Sequence, residues 1–224
     1  MTSKIFEISL ISMILSSIVL AIFSVLYCWR RYNPRYLRSF LIYAVVNMGE
    51  NVLTLFVRSL VAPAQNLYTL FEMLYFSYFL GEISAQKKPR YTVWLFGVAY
   101  AALYIFFAIK KDLTKAIGLL VVIESFLLCI GCMLYFRELM LKPVIIELSR
   151  EPSLWMVIGI LFYFAMVIPS IFISTFFSFK SERALAQATY SINNYAQVIN
   201  TVLFLKGMTC SRKRSSELPY GSSS

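Results

Sequence analysis

The chain has 224 residues, of which 59% are hydrophobic and 14% charged, and its formal net charge is +10. A soluble domain is usually about 45–50% apolar and about 25% charged, so this composition excludes an ordinary soluble protein and favours one that is surrounded by lipid. The positive charge would favour a nucleic-acid partner in a soluble protein. Here the basic residues fall in short loops between apolar segments, and we expect no nucleic-acid partner.

Seven apolar segments are long enough to cross a hydrocarbon core of about 30 Å, which takes roughly 20 residues of helix. In chain order they are 5–29, 39–60, 67–84, 91–109, 116–136, 153–177 and 186–206. Three of these segments each carry one interior glutamate, namely Glu50, Glu72 and Glu124. The sequence therefore predicts an all-α membrane protein, a bundle of seven transmembrane helices in a single domain over 1–210. The Ser-rich segment 211–224 is predicted to be a disordered cytoplasmic tail.

The loops predict the orientation of this bundle. Four segments that alternate along the chain, 30–38, 86–90, 137–152 and 212–214, hold thirteen basic residues, whereas the opposite side holds six. Because basic residues concentrate in cytoplasmic loops, the N-terminus is expected outside and the C-terminus in the cytoplasm. The expected location is a plasma membrane, which the chain crosses several times.

The second segment contains the stretch NMGEN, in which Asn47, Glu50 and Asn51 lie within five residues of one another. Helix positions three, four or seven apart share one face, so these side chains form a polar stripe. Lipid cannot satisfy such groups, and the stripe must face protein or a wet cavity. The third segment repeats the pattern with Tyr68 and Glu72.

Similar polar positions on other segments extend this pattern, and all of them fall in the outer half of the predicted membrane. The sequence thus predicts one polar cavity there. Its candidate ligand-binding residues are Glu50, Glu72, Glu124, Asn47, Asn51, Asn193, Asn194, Gln197 and Tyr75. Arg58 and Glu72 flank one short loop at similar depth, and we expect them to form an ion pair.

The alternative role for these residues is purely structural. Hydrogen bonds between membrane helices contribute about 0.6 kcal/mol on average, and a lone asparagine fits that role. Three glutamates fit it less well, because an ionised group at the membrane centre costs about 2.5–3.5 kcal/mol before compensation. We therefore favour a ligand or proton site.

The chain contains no histidine. This excludes Ser-His-Asp triads, zinc sites of the H-E-x-x-H type and haem ligation by histidine. It also contains no Gly-rich nucleotide loop. The sequence therefore predicts no catalytic residue, no metal site and no cofactor, and it indicates a protein that is not an enzyme.

Three stretches carry a resemblance: NLYTLFEMLYFSYF at 66–79, EPSLWMVIGILFY at 151–163 and NNYAQVINTVLFLKGMTC at 193–210. Together they resemble a group of small seven-helix bacterial integral membrane proteins of unassigned function. The resemblance implies the seven-helix fold. It also implies association with a membrane signalling protein such as a histidine kinase, and it implies no catalytic residue.

These observations predict a non-enzymatic sensor or ligand-binding module whose partners are the lipid bilayer, a small-molecule ligand and a membrane signalling protein. A proton-coupled small-molecule transporter is the main alternative, with Glu50 or Glu124 as the proton carrier. An intramembrane enzyme is the third. Substrate flux in proteoliposomes would distinguish transport from binding, and product formation would be required for the enzyme.

Overall fold

The computed structural model describes residues 2–28, 35–56, 61–110, 113–141, 151–178 and 183–217. Seven α-helices account for nearly all of these residues. They are α1 (Thr2–Cys28), α2 (Arg35–Phe56), α3 (Val61–Ile83), α4 (Lys87–Ile109), α5 (Leu113–Met140), α6 (Pro152–Ser178) and α7 (Arg183–Glu217). One helix corresponds to each of the seven apolar segments, which confirms the all-α, seven-helix prediction.

The largest difference from the predicted boundaries is at α7. This helix ends at Glu217, seven residues into the segment 211–224 that the sequence assigned to a disordered tail. Basic and serine side chains do not prevent a helix from continuing, since lysine and arginine are good helix formers. The remaining residues of that segment, 218–224, lie outside the described part of the chain.

The outer surface of the bundle is apolar. One face of α1 exposes a continuous stripe of branched aliphatic side chains, Ile5, Ile8, Ile11, Leu15, Val19 and Ile22. α4 exposes a similar apolar stripe, formed by Tyr91, Leu95, Val98, Ile105 and Ile109. A soluble monomer rarely exposes apolar patches of this extent, whereas lipid favours them.

Four of the described helices are long and apolar enough to cross a membrane. These stretches are Lys4–Tyr27, Lys87–Ile109, Gly118–Met140 and Pro152–Ile173. They belong to α1, α4, α5 and α6. The helices α2, α3 and α7 are not among the four, and they are the helices that carry most of the polar side chains described below.

The helices form a closed ring in the order α1, α2, α3, α5, α6 and α7, and α7 packs back against α1. α4 lies outside this ring against α3 and α5. α2 and α3 therefore face α6 and α7 across the interior. Side chains that point inward from these helices can meet even though they are far apart in the sequence.

Aromatic side chains fill the interior towards the end of the bundle where α2 begins and α3 ends. Phe40 on α2 meets Phe204 on α7 with ring centroids 4.9 Å apart, and Phe76 on α3 meets Phe164 on α6 at 5.8 Å. The side chains of Phe40, Phe76, Phe79, Met156, Ile160 and Phe204 leave no space for a water molecule between them. This end of the bundle is consequently a dry, well-packed core.

Small residues allow several helices to approach closely. At Gly159 on α6 an added Cβ would lie 2.6 Å from Oδ1 of Asn200 on α7. At Gly207 on α7 it would lie 2.8 Å from the carbonyl oxygen of Pro152. Small residues at contacts of this kind are typical of membrane helices, where van der Waals packing replaces the hydrophobic driving force.

Candidate functional site

A buried carboxyl on α3 is the centre of a hydrogen-bonded network. Glu72 is 5% exposed, and its Oε1 accepts hydrogen bonds from the hydroxyls of Tyr68 at 3.0 Å and Tyr43 at 3.2 Å. Tyr68 lies one turn before Glu72 on the same helix, whereas Tyr43 comes from α2. The network therefore crosses the α2–α3 contact and gives one oxygen of this carboxyl two donors.

Asn47 on α2 extends the network to a third helix. Its Oδ1 accepts a hydrogen bond from the side-chain amide of Gln197 on α7 at 3.0 Å. It also lies 3.0 Å from the Tyr68 hydroxyl, whose single proton is shared between Asn47 and Glu72. The amide of Asn51 also donates to Asn47, to the backbone oxygen at 2.9 Å and to Oδ1 at 3.3 Å. We call Tyr43, Asn47, Asn51, Tyr68, Glu72 and Gln197 the outer polar network, after the outer half of the membrane in which the sequence predicts such a site.

Two further carboxyls lie near this network. Glu72 is within electrostatic range of Glu50 on α2 and of Glu124 on α5. Tyr163 on α6 lies within electrostatic range of all three glutamates. The structure thus brings the three carboxyls into one region of the bundle, from three different helices.

Glu124 differs from Glu72 in having no hydrogen-bond partner in the part of the chain that the structure describes. It is 1% exposed, and neither carboxyl oxygen has a hydrogen-bond donor within the described residues. A buried polar atom without a partner costs free energy, about 1–3 kcal/mol. Such a group in a native fold calls for an explanation, of which a functional role is one.

The other residues that the sequence predicted for the ligand-binding site are distributed more widely. Asn194 donates a hydrogen bond to the Ser9 hydroxyl on α1 at 3.1 Å, away from the glutamates. Asn193 is half-buried, and its Oδ1 has no partner among the described residues. Tyr75 is buried in the aromatic core, stacked on Tyr43 at 5.0 Å. Among the described residues, no hydrogen bond joins Asn193 or Asn194 to the outer polar network, and Tyr75 meets the network through the ring of Tyr43.

The predicted ion pair between Arg58 and Glu72 lies outside the described residues, because Arg58 is not among them. Glu72, which is described, accepts hydrogen bonds from the hydroxyls of Tyr43 and Tyr68. No described lysine or arginine lies within ion-pair distance of Glu50, Glu72 or Glu124.

Sequence reasoning missed Tyr43 and Ser9. Tyr43 stands four residues before Asn47 on the same helix face, a spacing that could have identified it. Ser9 belongs to a buried serine series on α1 with Ser17 and Ser24. Their regular spacing was visible in the sequence, but serine is so common in membrane helices that the pattern pointed to packing only.

A second polar cluster lies at the opposite end of the bundle, and the sequence did not reveal it. Glu138 near the end of α5 is buried, and its carboxylate accepts hydrogen bonds from the Ser84 hydroxyl at 2.5 Å. It also accepts the backbone N–H groups of Ala85 at 2.6 Å and Gln86 at 2.9 Å. A carboxylate from α5 therefore satisfies the backbone just before α4, where Gln86 makes no side-chain cap of its own.

Among the described residues, no group of three or more His, Cys, Asp or Glu side chains is placed to hold a metal ion. Comparison of the chain with protein family models, curated proteins and solved structures finds no match. The resemblance to small seven-helix bacterial proteins is thus supported only at the level of a seven-helix, all-α chain. The four candidate spans and the apolar outer surface indicate a multi-pass membrane protein in contact with a lipid bilayer.

Proposed function

We propose that this protein is a non-enzymatic membrane sensor that binds a small ligand at the outer polar network. All seven helices would span a bacterial inner membrane, with the N-terminus outside and the C-terminus in the cytoplasm. The observation that carries the proposal is the set of hydrogen bonds joining Glu72, Tyr68, Asn47 and Gln197 across α3, α2 and α7. A ligand that replaces any of these bonds changes how three helices are held together.

The chemistry of the region favours a ligand with a positive charge. The Glu72 carboxyl is within electrostatic range of Glu50 and of Glu124, and none of the three has a described basic partner. The hydroxyls of Tyr43 and Tyr68 point at Glu72, and a hydroxyl oxygen can also accept a hydrogen bond from a cationic group. A protonated amine or a small inorganic cation would meet both requirements.

The length of α7 supports a signalling role. The helix has 35 residues, which at 1.5 Å per residue is about 52 Å, well beyond a core of about 30 Å. Gln197 lies in the outer polar network, and the same helix continues past Arg212 and Arg214. A continuous helix would carry a displacement at Gln197 to this basic end, where a signalling partner would bind.

A ligand screen by thermal shift tests the proposal on the full chain in detergent, with small amines and monovalent cations as probes. We expect at least one probe to raise the melting temperature of the wild type and to have no effect on Glu72→Gln. Glu7→Gln, at an exposed position on α1, is the matched control and should respond like the wild type. Equal responses in wild type and Glu72→Gln for every probe would contradict the proposal.

Glu124 favours a second function, that of a proton-coupled transporter. Its unpartnered, buried carboxyl near Glu72 could exchange a proton while a substrate crosses. Substrate flux into proteoliposomes that follows a pH gradient and is lost in Glu124→Gln would favour transport. Stabilisation by a ligand without any flux would favour the sensor.

A further inference from the structure

We propose that the cleft between α4 and α5, at the basic end of the bundle, binds the phosphate headgroup of an anionic phospholipid. The cleft has a volume of about 220 Å³ and opens at the surface. Its lining residues are Gln86, Lys88, Pro89, Thr92, Leu134, Arg137, Glu138 and Leu141. This site is separate from the outer polar network, and the proposal does not depend on the sensor function.

Two cations face this cleft from its two sides, Lys88 from α4 and Arg137 from α5. Both side chains are exposed, and neither has an acidic partner among the described residues. The neighbouring Arg90 is different, because it forms an ion pair with Glu82 and lies 5.1 Å from the centre of the Trp94 ring. Among the described residues that line the cleft, Lys88 and Arg137 are therefore the basic groups available to receive an anion.

The one acidic residue of the cleft does not oppose such an anion strongly. The Glu138 carboxylate already accepts three hydrogen bonds, from Ser84, Ala85 and Gln86. It is buried at 4% exposure. Its charge is offset by these donors and by the N-terminus of α4, so the open part of the cleft presents Lys88 and Arg137.

Apolar side chains identify a lipid rather than a free phosphate as the occupant. Leu134, Pro89 and Leu141 line the same cleft, and Leu141 is exposed. The apolar faces of α4 and α5 continue from there with Leu95 and Met133, both exposed. A soluble phosphate gains nothing from these surfaces, whereas the acyl chains of a phospholipid would lie along them. Basic pockets between helices on the cytoplasmic side are typical sites for acidic headgroups.

The test measures lipid retention. The full chain is reconstituted into vesicles of equal phosphatidylglycerol and phosphatidylcholine, extracted into mild detergent and examined by native mass spectrometry. We expect the wild type to retain phosphatidylglycerol in preference to phosphatidylcholine. A basic residue near an anionic surface contributes about a five-fold factor in binding, so the double variant Lys88→Gln, Arg137→Gln should bind phosphatidylglycerol about 25-fold more weakly.

The matched control removes two cations elsewhere, as Lys4→Gln, Lys110→Gln, and should retain phosphatidylglycerol like the wild type. Excess inorganic phosphate is added in a separate arm and should not displace the lipid. Equal retention by the two double variants would overturn the proposal. Displacement of the lipid by inorganic phosphate would also overturn it, because the cleft would then be a site for free phosphate.

Discussion

The side-chain amide of Gln197 on α7 donates a hydrogen bond to Oδ1 of Asn47 on α2 over 3.0 Å, although 150 residues separate them in the chain. The same oxygen accepts the Tyr68 hydroxyl of α3. One side-chain oxygen therefore links α2 and its neighbour α3 to α7 across the interior of the ring. The helices it joins are those whose polar side chains set them apart from the four most apolar spans.

Removing one hydroxyl should weaken this junction measurably. Tyr68→Phe loses the hydroxyl whose single proton is shared between Glu72 and Asn47, each 3.0 Å away. The contact with Asn47 joins two helices, and at about 0.6 kcal/mol for a hydrogen bond between membrane helices we expect the free energy of unfolding to fall by about that amount. Denaturant unfolding in detergent measures the change. Tyr78→Phe, on the exposed face of α3, should change it little, and equal losses in the two variants would show that the hydroxyl itself is not responsible.

A methyl group at Gly81 should destabilise the contact between α3 and α4. The added Cβ would collide with the indole nitrogen of Trp94, so the tryptophan must move. Overpacking of this kind costs about 1–3 kcal/mol, and Gly81→Ala should lower the melting temperature. Gly49→Ala is the matched control, because nothing lies within 4 Å of its added Cβ. There the higher helix propensity of alanine should leave stability unchanged or raise it.

The carboxylate of Glu138 should be essential for the connection between α3 and α4. Glu138→Ala leaves the Ser84 hydroxyl and two backbone N–H groups without their acceptor. We expect a loss of about 2–3 kcal/mol in the free energy of unfolding, together with faster hydrogen exchange at Ala85 and Gln86. Glu82→Ala breaks a partly exposed ion pair with Arg90 instead and should cost less than about 1 kcal/mol. A larger loss of stability in Glu82→Ala than in Glu138→Ala would contradict this prediction.

Glu124 should show a conflict between stability and function. Its buried carboxyl has no described hydrogen-bond donor, and leucine has a similar volume without a polar group to satisfy. Glu124→Leu is therefore expected to raise the free energy of unfolding by about 1 kcal/mol or more. If Glu124 serves the ligand or proton site, the same variant loses the ligand response or the flux. A less stable Glu124→Leu would mean that the carboxyl has a structural partner.

The orientation of the bundle can be tested with single cysteines at exposed loop positions. Lys87 begins α4 and Lys110 follows its end, so they lie on opposite sides of the membrane if α4 spans it. In intact cells, a membrane-impermeant maleimide should label Lys110→Cys and leave Lys87→Cys unlabelled until the membrane is opened. The reverse pattern would invert the proposed orientation, and labelling of both would show that α4 does not span.

The sequence by itself determined the class of this protein and the number of its helices. A run of about 20 apolar residues can be recognised without knowing the rest of the fold. This is possible because a helix in lipid satisfies its backbone hydrogen bonds within its own segment. The spacing that placed Asn47 and Asn51 on one face was also readable, since it depends only on helix periodicity. The placement of Tyr68 and Glu72 on one face of α3 follows from the same helix periodicity.

Only the tertiary structure decided which polar faces meet. Asn47 reaches Gln197 rather than Asn193 or Asn194, and Asn194 bonds to Ser9 instead. Glu138, which lies in the segment 137–152 that the sequence assigned to a loop, is buried against the start of α4. These pairings depend on the rotation of each helix about its axis and on the order of helices around the ring. Both are set by close packing between segments far apart in the chain, which no local pattern records.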